Sequence, residues 1–167
     1  MKYTCAQAAK LLKRLNERLN EVKAMEQQTR CFVASLGEDP ESVRPEYDYA
    51  ATAELIDGLE KKIRKVKHAV NVFNTTHTVP GFDMTVDQIL VYIPQLTERK
   101  EKLRMMASAL PKSRQQSFSG GSVVDYSYAN YDPRLAASDL EKVSAALSDA
   151  QTALDLVNST ETLELDI

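Results

Sequence analysis

The sequence predicts a mainly α-helical protein, with long antiparallel helices packed along heptad seams as a bundle or coiled coil. A small β-hairpin or extended arm is expected near residues 115–131. Three observations lead there. Apolar residues recur at alternating spacings of three and four over four long stretches, the period of helices that pair side by side. The five glycines and six prolines gather mostly between those stretches, which leaves the stretches nearly free of helix breakers. Capping patterns stand where periodic stretches begin. A single helical domain over 1–167 is expected, with helices at about 4–32, 47–73, 85–110 and 133–158.

The first helix opens on Thr4-Cys5-Ala6-Gln7, a capping box. Its seam runs through Ala8, Leu12, Leu15, Leu19 and Val22, and the pattern fades after Met25. A polar connection with Pro40 and Pro45 follows. The second helix carries the cleanest seam in the chain, Ile56, Leu59, Ile63, Val66, Val70 and Phe73, and is expected to be the main packing element. Gly58 is its weak point, at about 1 kcal/mol against Ala in a helix interior. Residues 71–83 read as a turn region. Thr85-Val86-Asp87-Gln88 then repeats the capping box, opening a third helix with seam Ile89, Ile93, Leu96, Leu103 and Leu110. Pro94 inside it predicts a kink or a break, and Pro111 a stop.

Residues 112–131 change character. Ser119-Gly120-Gly121-Ser122 reads as a turn, and Val123 to Tyr131 is rich in β-formers. Asp132-Pro133 supplies an N-cap and a first helical residue. The fourth helix follows, with seam Ala136, Leu140, Val143, Leu147, Ala150, Leu154 and Val157. The acidic tail reads as frayed or as a short strand.

The net charge of −3 gives no global pull toward nucleic acid or an anionic membrane, so no nucleic-acid partner is expected. No apolar run is long enough to span a bilayer, and Met1-Lys2-Tyr3-Thr4-Cys5 lacks the apolar core of a secretory signal. A cytoplasmic protein is therefore expected, with membrane partners unlikely. Cys5 and Cys31 read as lying on one helix roughly 39 Å apart, too far to pair with each other.

Few constellations suggest chemistry. Lys61-Lys62-Ile63-Arg64-Lys65-Val66-Lys67 reads as a solvated helix face whose apolar members point into the seam. His68 and His77, the only histidines, lack a second ligand at metal-site spacing and read as ordinary surface residues. Ser119-Gly120-Gly121-Ser122 lacks a Walker lysine. Asn74-Thr75-Thr76 and Asn158-Ser159-Thr160 match glycosylation sequons, but caps and turns explain them better. No catalytic residue, metal site or cofactor is expected, and the chain is not expected to be an enzyme.

Self-association is expected instead. A narrow heptad seam needs a facing helix, and an extended Tyr-rich segment has backbone edges and aromatic faces that need cover. Val123, Val124, Tyr126 and Tyr128 are the expected interface residues, and a structural or interaction protein built as a homo-oligomer is the expected function. The alternative is an assembly that binds or sequesters a small molecule, such as a nucleotide, in pockets at subunit contacts. There Tyr126, Tyr128 and Tyr131 would stack on a base while Arg114 and Arg134 hold phosphate.

The order of features also resembles the septicolysin-like family of small, uncharacterised bacterial helical proteins. The stretches that carry the resemblance are Val70 to Thr76, Met84-Thr85-Val86, Leu96 through Leu103, Arg114, Val123-Val124-Asp125 and the final amphipathic helix. The sequence departs from that pattern where Ser159, rather than Trp, follows Asn158, and where an Arg-Asp pair is missing near Arg99. The resemblance implies a helical, multimeric protein and, through the family's name, a membrane-active role as a lesser alternative. It supplies no active-site residues.

Overall fold

The computed structural model describes residues 1–115 and 124–167, and it is mainly helical. The elements run β1 (Lys2–Thr4), α1 (Cys5–Thr29), α2 (Pro40–Val43), α3 (Tyr49–Thr76), α4 (Val86–Ala107), β2 (Lys112–Arg114), β3 (Tyr126–Tyr128), α5 (Pro133–Thr160) and β4 (Thr162–Glu164). Both capping boxes form. Thr4 and Thr85 accept from the backbone N–H of Gln7 and Gln88, and each glutamine side chain reaches back to the capping residue. Asp132 accepts from the Arg134 N–H at 2.8 Å, starting α5 at Pro133. Asp48 starts α3 the same way, accepting from the Ala51 N–H at 3.0 Å.

The contacts fall into two compact units, Met1–Thr76 with Leu156–Ile167, and His77–Asp155. In the first, α1 and α3 form an antiparallel pair, with Tyr47 bonding Glu26 and Lys23 meeting Glu60 across it. Leu19, Val22, Leu59 and Ile63 make its buried seam, with Leu12, Leu15 and Ile56 packed against them. Val66 and Phe73 are also buried on α3, and Val70 is half-buried. Beside the helices β1 pairs antiparallel with β4, Tyr3 opposite Leu163. Lys65 Nζ donates to the Asp166 carbonyl at 2.9 Å. Leu163 and Leu165 are buried while Glu164 between them is exposed, the alternation of a strand packed on one face.

In the second unit α4 and α5 pack through Leu96, Leu147 and Ala150, with Phe82, Tyr92, Ile93, Val143 and Ala146 around them. Gly81, with φ 83°, turns the chain ahead of α4. The β2–β3 ribbon lies between these helices in sequence and pairs Lys112 with Tyr128, Ser113 with Ser127 and Arg114 with Tyr126.

Several boundaries differ from the sequence expectation. α1 ends at Thr29, so Cys31 stands beyond the helix and is exposed while Cys5 is buried. α3 continues past Phe73 to Thr76, where the Thr75 and Thr76 hydroxyls donate to carbonyls of the preceding turn. α4 runs through Pro94 without ending. Pro94 and Leu90 are both exposed, so the Leu90 carbonyl that loses its helical donor can turn to water. Leu110 is not a seam residue: α4 stops at Ala107, leaving Leu110 68% exposed. The polar connection expected after α1 holds a short helix, α2, which Asp39 caps and in which Pro40 takes the first position.

Candidate functional site

The ribbon that interrupts the helices of the second unit brings together much of what the sequence singles out. Antiparallel pairing sets directly opposite residues on one face. Lys112, Arg114, Tyr126 and Tyr128 therefore share a face, and Ser113 and Ser127 the other. Lys112 Nζ lies 4.2 Å from the Tyr126 ring centroid and 5.3 Å from that of Tyr128. That is cation–π range, worth about 0.5–1 kcal/mol at an exposed site. The rings remain open to solvent: Tyr126 is 48% and Tyr128 63% exposed.

The other expected residues take different positions. Tyr131 leaves the ribbon and donates its hydroxyl to the Met106 carbonyl at 3.1 Å, tying the start of α5 to the last turn of α4. Arg134 points its guanidinium toward Asp132, 3.9 Å away, on the residue that caps α5. Neither joins the Lys112–Tyr126–Tyr128 group. Val124 is exposed just ahead of β3; Val123 and the Ser119–Ser122 turn fall outside the described residues. Lys112 was missed. Its place over the rings follows from the strand register, which pairs Lys112 with Tyr128 and Arg114 with Tyr126.

Three exposed apolar residues stand close to the ribbon in the sequence. Met105, Leu110 and Leu135, exposed by 63, 68 and 67%, flank it in sequence at the end of α4 and the start of α5. The Ala129 N–H donates to the Pro111 carbonyl and holds the ribbon's base beside them. A groove of about 490 Å³ opens between α4 and α5, with Arg99, Lys102 and Lys142 on its rim. Lys142 is already tied to Asp139 at 2.9 Å.

The residues expected to be chemically ordinary have these surroundings. His68 is exposed; His77 is half-buried, and its carbonyl accepts from the Val86 N–H. Among the described residues no group of three or more His, Cys, Asp or Glu is placed to hold a metal, and no helix is long and apolar enough to cross a membrane. Burial pushes the Cys5 thiol up. Desolvation, with the hydrogen bond to Glu26, raises the Tyr47 phenol. Lys23, 2.8 Å from Glu60, holds that carboxyl below its usual range.

No protein-family model and no curated protein matches this chain. Its fold is similar to that of a functionally unknown conserved protein from Corynebacterium diphtheriae, known from a crystal structure. The two are 15% identical over 98% of this chain and 100% of that one, with a TM-score of 0.59. At that identity the likeness speaks to the fold alone.

Proposed function

We propose that this chain is a structural or interaction protein that works by associating with copies of itself, with the ribbon-bearing end of the second unit in the contact. Membership of the septicolysin-like family is part of the same proposal. The observation that carries it is the face of Tyr126 and Tyr128, 48% and 63% exposed, with Met105, Leu110 and Leu135 exposed in the flanking sequence. Large aromatic and Met side chains are enriched in interfaces and seldom gathered on free surface. The test is light scattering on the intact chain and on Tyr126→Ser/Tyr128→Ser. Self-association through the ribbon gives a wild-type mass above the monomer and a smaller particle for the variant. A monomeric wild type refutes the reading, and an unchanged oligomer in the variant removes the ribbon from the contact.

A second reading rests on the same face. Two cations beside two stacking-competent rings, Lys112 and Arg114 with Tyr126 and Tyr128, have the chemistry to hold a nucleotide's base and phosphate. Native mass spectrometry of the purified chain separates the two: a stoichiometric small molecule released on unfolding favours binding, and its absence favours assembly alone.

A further inference from the structure

From the charge and spacing of two exposed helix faces, we infer that α4 of one copy docks antiparallel along the outer face of α1 of another. The inference rests on the self-association proposed above and adds a contact distinct from the ribbon.

The receiving face belongs to the first unit. A groove of about 910 Å³ runs along α1 beside β1. Tyr3, Gln7, Lys10, Arg14 and Glu17 line it, at spacings of four and three that repeat the heptad. This is a second stripe on α1, separate from the seam of Leu12, Leu15, Leu19 and Val22 that meets α3. Met1, Lys2 and Lys13 complete the lining. The side chains of Lys2, Lys10, Lys13 and Arg14 set four cations against the single carboxylate of Glu17, on a chain whose net charge is −3. Lys13 and Glu17 pair at 3.8 Å. Lys10 and Arg14 make no ion pair among the described residues. Their stems lay apolar surface along the groove while their heads stay in water.

The complementary face belongs to the second unit. On α4 the residues Asp87, Val91, Pro94, Glu98, Glu101 and Met105 follow the same spacing, and all six are exposed. The stripe lies off the seam of Val86, Ile89 and Leu96, which is buried. It contains three carboxylates, three apolar side chains and no cation. Glu101 pairs with Arg104 one turn along, an exposed pair of the kind that exchanges at little cost. Asp87 and Glu98 make no ion pair among the described residues.

Direction follows from charge. Laid antiparallel, the two stripes set Lys10 opposite Glu101 and Arg14 opposite Glu98, with Met105 near Gln7. Laid parallel, the registers that match the spacing keep only one opposite-charge pair: Arg14 with Glu98, at the cost of Glu17 against Glu101, or Lys10 with Glu101 alone. Because α1 and α4 are different surfaces, the contact is heterologous: each copy receives one neighbour on α1 and offers α4 to another, closing a ring or extending a chain.

The experiment uses two full-length variants, Lys10→Glu/Arg14→Glu and Glu98→Lys/Glu101→Lys, with circular dichroism to verify folding and sedimentation to read mass. Each variant alone faces like charge at the contact and should associate at least ten-fold more weakly than wild type. Mixed one to one, the two variants can alternate with opposite charge at every contact, so the mixture should recover association that neither variant shows alone. Wild-type association should also weaken as salt is raised. An oligomeric wild type whose variants associate equally well overturns the docking, as does a mixture that fails to recover. If the Tyr126→Ser/Tyr128→Ser variant still dissociates in that case, self-association through the ribbon survives while the α1–α4 contact falls. A monomeric wild type overturns both.

Discussion

Replacing Ile63 with Asp puts the packing of the first unit to a quantitative test. Ile63 is 8% exposed and packs in the cluster with Leu19, Val22 and Leu59. Truncating a buried Ile costs about 2–5 kcal/mol, depending on how far the site collapses. A carboxyl left there without a partner adds about 1–3 kcal/mol. A seam between only two helices opens to water more readily than a deep core, so the low end of each range applies, about 3–5 kcal/mol together. For a chain of this size each kcal/mol moves the midpoint by about 2–4 °C, so Tm should fall by at least about 6 °C. The assay is thermal and urea unfolding followed by circular dichroism. Val72→Asp is the control: Val72 lies on the same helix at 47% exposure, and its substitution should stay within about 0.5 kcal/mol of wild type. If Ile63→Asp melts with wild type, the α1–α3 seam is wrongly placed.

Other outcomes follow from particular side chains. Gly58 has open space where a Cβ would stand and no left-handed backbone, so Gly58→Ala should stabilise by about 0.5–1 kcal/mol in urea titration; a loss would mean that something occupies that space. In the native protein a thiol reagent should label exposed Cys31 at least about ten-fold faster than Cys5, which is buried and whose thiol is pushed up; equal rates would contradict that burial. The Glu60 carboxyl is held low by Lys23. A depressed folded pKa gives stability that is complete above the unfolded value of about 4.3 and lost as pH falls through the folded value. Lys23→Gln should therefore flatten the fall in urea midpoint below about pH 5, and an unchanged pH profile would show the pair to be inert.

What was legible in the sequence is what local chemistry decides. Thr4 with Gln7, and Thr85 with Gln88, act within one turn, and Leu59, Ile63 and Val66 repeat a period that only a helix brings to one face. Pairings over long separations were not legible. Lys2–Thr4 reads as a helix lead-in because nothing nearby indicates that its partner is Thr162–Glu164, at the other end of the numbering. Helix ends are not legible where polar residues carry the helix past the apolar period, as at Asn74 to Thr76. Within the candidate site, Tyr126, Tyr128 and Arg114 were recognised by type. Lys112 was not, because its place over the rings depends on register. Tyr131 and Arg134 were grouped with the ribbon by proximity in sequence, but bonds to Met106 and Asp132 hold them elsewhere.

The measurement that tests self-association most directly is the solution mass of the unmodified chain by light scattering across a range of concentrations at low salt. A homo-oligomer gives an integer multiple of 18.7 kDa, falling toward the monomer on dilution. A constant 18.7 kDa at every concentration would contradict it.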